Sequence, residues 1–413
     1  MDIKDDSVNL HRMLKGKIEI QNRVPIENIF AKENSLINLI YTPGVAYVAS
    51  EIGENKDLAY DFTSKWNNVA IICDGTRVLG LGNIGPYAAL PVMEGKSVLF
   101  KLLGGINAIP LCIETQNKEE IIKFVKYIQP FFGAINIEDI ESPKVLEIVE
   151  RLKKEITIPV FHDDQHGTAI ITLAALINSL KIVRKQLEKS KIVILGAGSA
   201  GYGINKILNC AGCKNTIVVD SKGAIYEGRK DLINNQFKSE LASKSNPNNI
   251  EGSLDSVIEG SDVFIGVSGK GNILNKKVVS TMNFDPIVFA LSNPYPEISP
   301  PSALDAGAKI VATGRSDFPN QVNNAVVFPS VIRALLDLRV KLLNENLMVN
   351  VAYAIANLVE IEHLKTDYII PPINDQRILP VVTQTLKSVI QKTVTQNYEK
   401  ETNIEGKKIS SQN

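Results

Sequence analysis

At 413 residues and 45.3 kDa the chain is long enough for two or three domains, each with its own core. Basic and acidic residues number 45 each, a balance that points away from nucleic acid and from an electrostatic membrane surface. The 4 cysteines, the polar start "MDIKDDSVNL" and the lack of roughly 18 consecutive apolar residues lead us to expect a reduced, cytoplasmic protein without a membrane span.

The first elements in chain order are continuous apolar runs that stop on acidic or glycine residues, as strands buried on both faces do. They are "NVAIICDG" (68–75), "AIPLCIE" (108–114), "GAINIED" (133–139) and "IPVFHDD" (158–164). Between them Ile121, Phe124, Val125 and Ile128 recur at helical spacing, as do Val145, Ile148, Val149 and Leu152. Ser142 and Pro143 read as the N-cap and first turn of the second helix. "GTAIITLAALINSLKIVRKQL" reads as one long connecting helix.

A second series follows: "KIVILGAG", "NTIVVDS" (215–221), "DVFIGVSG" (262–269), "PIVFALSN" (286–293) and "KIVATG" (309–314). Beyond about 320 the pattern is helical, and "KKISSQN" reads as a polar tail. Alternating strands and helices imply parallel sheets. The expected fold is α/β with two domains: an N-terminal domain with a parallel sheet over 1–165 and a C-terminal Rossmann-type dinucleotide-binding domain over 166–385 that ends in helices. Residues 386–413 are assigned to a helix end and the tail.

In "VILGAGSAGYGI", Gly196, Gly198 and Gly201 have G-x-G-x-x-G spacing between an apolar strand and a helix, with Ser199 and Ala200 inside the turn. Such glycines admit a pyrophosphate to a helix N-terminus, and an acid at the tip of the next strand takes the ribose hydroxyls. Asp220 holds that place. A carboxylate repels a 2′-phosphate, so Asp220 favours NAD over NADP, while Ser221 and Lys222 beside it soften the preference.

Ligands of open α/β sheets bind beyond the carboxyl ends of the strands, where Glu138, Asp139, Asp163 and Asp164 all fall. Neighbours on an extended strand face opposite ways, so Glu138 and Asp139 can share a ligand only if the strand ends there. Crowded carboxylates without cysteine suit a hard cation, Mg²⁺ or Mn²⁺. His162 and His166 invite a zinc reading, but a turn at Gly167 separates them, and structural roles are favoured. Tyr41, before a Thr-Pro-Gly turn, and Lys96, early in a helical pattern, are candidates for proton transfer.

"YTPGVA", "DGTRVLGLGNIGPYAALPVMEGK", "NIEDI", "FHDDQHGTA", "GAGSAGYGI", "LSNPYPEISP" and "ATGRSDFPNQVNN" follow one another between about 20 and 385. Through them the chain resembles a malic enzyme of the short microbial type. The resemblance implies oxidative decarboxylation of malate to pyruvate and CO₂ with NAD, NADP being a possible alternative, and with Mg²⁺ or Mn²⁺. It implies Tyr41 as general acid, Lys96 as general base, Glu138, Asp139 and Asp164 as metal ligands, and Asp163 as their orienting neighbour. Arg77 corresponds to a substrate-carboxylate contact, and Asn293 with Asn323 or Asn324 to contacts with malate and nicotinamide. A homodimer or higher homo-oligomer is also implied.

"FPSVIRALLD" departs from the family pattern, with Ser330 and Ala334 in place of glycines, but loses no ligand. "CAGC" (210–213) ends a helix rather than starting one and reads as structural. Two rival functions remain: malolactic-type decarboxylation with retained NAD, and a catalytically silent dinucleotide sensor. A sensor has no need of Tyr41, Lys96 and the three acids.

Overall fold

The computed structural model describes residues 3–14, 17–21, 23 and 36–393; the tail "KKISSQN" lies outside them. Two sheets carry the architecture. The first has the order β2-β1-β3-β4, with β1 Asn68–Cys73, β2 Asn107–Cys112, β3 Ala134–Glu138 and β4 Val160–His162, all parallel. Every residue of β1 and β3 is buried, which is why these runs are continuous in apolar residues instead of alternating.

The second sheet has the order β10-β9-β8-β5-β6-β7. Its strands are β5 Ile192–Leu195, β6 Thr216–Asp220, β7 Gly223–Ala224, β8 Val263–Gly266, β9 Ile287–Ala290 and β10 Ile310–Thr313. All neighbours are parallel except β7, a two-residue antiparallel return on β6 that the sequence pattern does not announce. The order reverses between β5 and β8, and in the first sheet between β1 and β3. Crevices open at such points.

The helix Thr168–Val183 joins the two sheets. It is apolar all round and buries twelve of its residues, from Ala169 to Leu180. With the turn before it, this is the one helix among the described residues that is long and apolar enough to cross a membrane, yet 78% of that window is buried inside the protein. It is a core helix. It stops at Arg184, whose φ of 56° is left-handed.

The expected N-cap at Ser142 is corrected by one residue: the helix is Lys144–Glu155, with Pro143 in the cap position and no side-chain cap. The Val145 N–H bonds the Glu141 carbonyl instead, so main chain replaces the serine hydroxyl. Near the end of the chain the helix Phe328–Asp337 packs back on Gly85–Gly104, with Phe328 and Phe100 ring centroids 4.7 Å apart. The hairpin of helices Leu36–Ile40 and Val45–Glu54 is different: none of its residues is buried.

Candidate active site

A cavity of about 1050 Å³ lies between the carboxyl edges of the two sheets. At the first edge β3 ends on Glu138, and Asp139 takes a φ of 47°. A left-handed aspartate costs about 1 kcal/mol, and it breaks the pleat so that two consecutive acids reach one space. After β4 the chain winds into a single π-helical turn, Asp163–Gly167, which presents Asp163 and Asp164. A side chain at Gly167 would displace the Asp163 carboxylate, since a Cβ would stand 2.1 Å from its Oδ1.

Lys96, midway along Gly85–Gly104, donates to Glu138 Oε1 and, at 2.6 Å, to Asp163 Oδ2, with its Nζ 4.6 Å from the Phe328 ring centroid. Burial by itself would lower the ammonium, but the two carboxylates outweigh it and hold Lys96 above its usual range. Burial, reinforced by Asp163, Asp164 and Asp139, holds the Glu138 carboxyl well above the ordinary range in spite of Lys96. Burial and then the Asp164 charge push Asp139 up to about 7. Four carboxylates therefore face Lys96 and Arg77, and the anionic excess is relieved by holding protons.

This donor set fits a hard divalent cation. Its oxygens are all carboxylate, and Asp139 Oδ2 and Asp163 Oδ1 are buried without a hydrogen-bond partner. The acids are not gathered as ligands, however. Among the described residues, the only three metal-ligating side chains with atoms all within 4.8 Å are Glu360, Glu362 and His363, exposed on the surface. Glu138 is committed to Lys96, so a cation and the ammonium compete for one carboxylate. Zinc at the histidines is disfavoured. The His166 Nδ1 accepts the His162 N–H at 3.0 Å, its Nε2 lies 3.2 Å from Lys153 Nζ, and burial lowers both imidazoles, His162 to about 4.

At the second edge Gly196, Gly198, Ser199 and Ala200 line the cavity as β5 turns into the helix Ser199–Cys210. Gly201 lies behind them, where a Cβ would stand 1.8 Å from the Gly196 carbonyl oxygen. Asp220 corrects the sequence reading. Its carboxylate is not free for ribose: Arg229 grips it with two nitrogens at 3.1 and 2.6 Å, Lys238 Nζ at 2.6 Å and the Lys222 N–H at 2.9 Å. Burial raises the carboxyl, but these donors win and bring it down to about 2. Asp231 takes Lys222 and the far side of Arg229. Three cations against two anions leave this end of the cavity positive, so Asp220 does not repel a 2′-phosphate.

Arg77, Asn293, Asn323 and Asn324 line the cavity. The Asn323 side chain caps its own turn through the Ala325 N–H at 2.9 Å, and Asn324 is bonded to Thr168 Oγ1 at 3.0 Å. Sequence reasoning missed Arg229, Lys238 and Glu297. Glu297 is fully buried and accepts from the Ser268 N–H and hydroxyl at 3.0 Å each and from the Ser292 N–H at 3.2 Å, tying the ends of β8 and β9 together. Its signal was its place within "LSNPYPEISP". Tyr41 is not brought to the cavity: it is 68% exposed, absent from the lining, and its hydroxyl has no hydrogen-bond partner among the described residues.

The family model "Malic enzyme, N-terminal domain" matches residues 16–153, and "Malic enzyme, NAD binding domain" matches residues 165–393. The chain belongs to the malic enzyme family. It is 47% identical over 393 residues to a bifunctional malic/malolactic enzyme of Bacillus subtilis (strain 168), covering 95% of this chain and 94% of that protein. It is 42% identical over 362 residues to an NADP-dependent malic enzyme of Halomonas elongata, 84% of each chain being covered. A crystal structure of an NAD-dependent malic enzyme from Thermotoga maritima matches with a TM-score of 0.87 at 44% identity, over 92% of this chain and 99% of that one. The two-domain α/β fold expected from the sequence is thus that of the malic enzymes. Its departures from the family pattern are absorbed locally: the Ser330 hydroxyl donates to the Val327 carbonyl at 3.0 Å, and Ala334 is fully buried.

Proposed function

We propose that the chain catalyses oxidative decarboxylation of malate to pyruvate and CO₂, using NAD⁺ or NADP⁺ and a divalent cation at Glu138, Asp139 and Asp164. The observation that carries this reading is the pairing of Lys96 with Glu138 and Asp163 in the cavity that also holds the dinucleotide turn. When bound, the nicotinamide would accept hydride from malate C2 and the cation would polarise the C2 oxygen.

Lys96 takes the C2 hydroxyl proton. As an ammonium shared by two acids it cannot; with Glu138 turned to a cation, one of those acids would be lost and a positive charge would stand nearby, both of which disfavour the ammonium. Asp163 keeps the amine aimed. Arg77 pairs with a substrate carboxylate, and the amides of Asn293, Asn323 and Asn324 orient malate against the nicotinamide. By the family's pattern Tyr41 would give its hydroxyl proton to C3 of the enolate left by loss of CO₂, a role that requires its exposed hairpin to be brought against a cavity. The cationic surroundings of Asp220 support acceptance of either dinucleotide. All 4 cysteines are free, which supports a reducing, cytoplasmic setting.

The expected outcome with malate is reduced nicotinamide that requires Mn²⁺ or Mg²⁺ and disappears with EDTA. Turnover indifferent to EDTA would remove the cation from the reading. The name of the 47% identical relative favours a second activity, malate to lactate with the nicotinamide retained. Lactate formed without free reduced cofactor would establish it.

A further inference from the structure

We infer that Cys112 and Cys73 are a site of thiol oxidation, at which a hydroperoxide converts the pair to a disulfide and displaces the loop that carries Arg77. The bridge follows from the placement of the thiols; its effect on turnover rests on the reading of the cavity as a malate site.

The two cysteines are partners in register across β1 and β2, each the last residue of its strand. Neighbouring strands lie about 4.8 Å apart, and register partners project to the same face. A disulfide spans Cα separations of about 4.4–6.8 Å, so closure asks for side-chain rotation rather than movement of the strands. Cys73 is fully buried, whereas Cys112 is half-buried on β2, the edge strand of its sheet. The largest influence on each thiol is its contact with the other, which lowers Cys112 and raises Cys73. The accessible member thus supplies the thiolate and the buried one resolves it. The other close pair has no such division: burial raises both Cys210 and Cys213, and Cys213 turns its sulfur to the Ser190 carbonyl at 3.8 Å.

The oxidation runs in two steps. The Cys112 thiolate attacks the terminal oxygen of the hydroperoxide, the O–O bond breaks, and the leaving alkoxide or hydroxide takes up a proton, so that Cys112 becomes a sulfenic acid. The Cys73 thiol then attacks that sulfur; the S–S bond forms, the S–O bond breaks, and the departing hydroxide takes the Cys73 proton and leaves as water. Two electrons have passed from the thiols to the hydroperoxide.

Cys73 stands where such a change reaches the cavity. Its sulfur accepts the Gly75 N–H at 3.3 Å, and on the side away from Cys112 it is in register with Glu138. The Gly75 carbonyl in turn accepts the N–H groups of Ile84 and Gly85 at 3.1 Å each, where the helix bearing Lys96 begins. Two residues on, the Arg77 N–H bonds the Asp139 carbonyl at 3.1 Å. Drawing the Cys73 sulfur toward Cys112 takes the acceptor from the Gly75 N–H and pulls on the turn from which Arg77 reaches the cavity.

The test uses the full-length protein treated with hydrogen peroxide. Peptide mass spectrometry without reduction should show a Cys73–Cys112 bridge, and kcat/KM for malate should fall about tenfold, mostly through KM, because a substrate contact is displaced. Dithiothreitol should reverse both. Cys112→Ser should turn over like the wild type and lose the response, while Cys73→Ser should stop at a sulfenic acid on Cys112 that dimedone traps; reduced-nicotinamide binding verifies folding of each. No bridge under excess peroxide, or a bridge at Cys210–Cys213 alone, would overturn the site. A Cys73–Cys112 bridge with unchanged kcat/KM would overturn its link to Arg77. Untreated protein inert toward malate would refute the malate reading by itself, and the mapped bridge would still decide the pair.

Discussion

At the first sheet edge Glu138, Asp139, Asp163 and Asp164 outnumber Lys96 and Arg77; at the second, Arg229, Lys238 and Lys222 outnumber Asp220 and Asp231. Both clusters are partly buried webs of opposite charge, yet their solutions differ. The acidic edge is left with carboxyls that burial and mutual repulsion hold above their ordinary range, a standing demand for a cation. The basic edge is saturated, with Asp220 held down to about 2, and its leftover charge suits an anion. One cavity is therefore polarised along its length, acidic at the first sheet edge and basic at the second.

The largest break in this contrast is expected from Lys96→Ala. Loss of the proposed proton acceptor should lower kcat about 10²- to 10⁴-fold, while fluorescence titration with reduced nicotinamide still shows binding, because the second edge is untouched. Retained turnover would take Lys96 out of the mechanism.

A smaller effect is expected from Lys238→Gln at the other end. Removing one of the cations around Asp220 should lower kcat/KM with NADP⁺ by about tenfold, roughly 1.4 kcal/mol, and leave the value with NAD⁺ nearly unchanged. An equal loss with both coenzymes would mean that Lys238 serves only to hold Asp220.

The smallest effect is in stability. Asp139 is raised to about 7, so without metal it favours the folded state when protonated; that contribution is complete below the ordinary carboxyl range near 4 and is lost as pH rises through about 7. The Tm of EDTA-treated protein should fall over that window, and Mn²⁺ should restore it at the alkaline end. A flat profile for Asp139→Asn beside a sloping wild type would assign the slope to this residue.

The strands were legible because a parallel strand buried on both faces is mostly apolar: β5 is so throughout, and β1 and β3 are interrupted only by Asn68, Asn136 and the terminal Glu138. The acids at the tips of β3 and β4 were legible for the same reason, since the runs end on them. Arg229 and Lys238 were not: they lie 9 and 18 residues beyond Asp220, and the antiparallel return of β7 and the helix Gln236–Lys244 bring them back. No local period encodes that return. Tyr41 could be named from its motif, but the motif does not tell that its hairpin stands exposed and outside the cavity wall.

The core helix Thr168–Val183 also acts as a gauge of angle. It rises straight from the turn bearing Asp163 and Asp164, and its side chains are gripped on every face. Adding one residue within it would swing that turn by about 100°, roughly a third of a revolution, relative to the second sheet, whereas the same addition in an exposed loop would be taken up as slack. The spacing between the two chemistries is thus kept by a rod of fixed count.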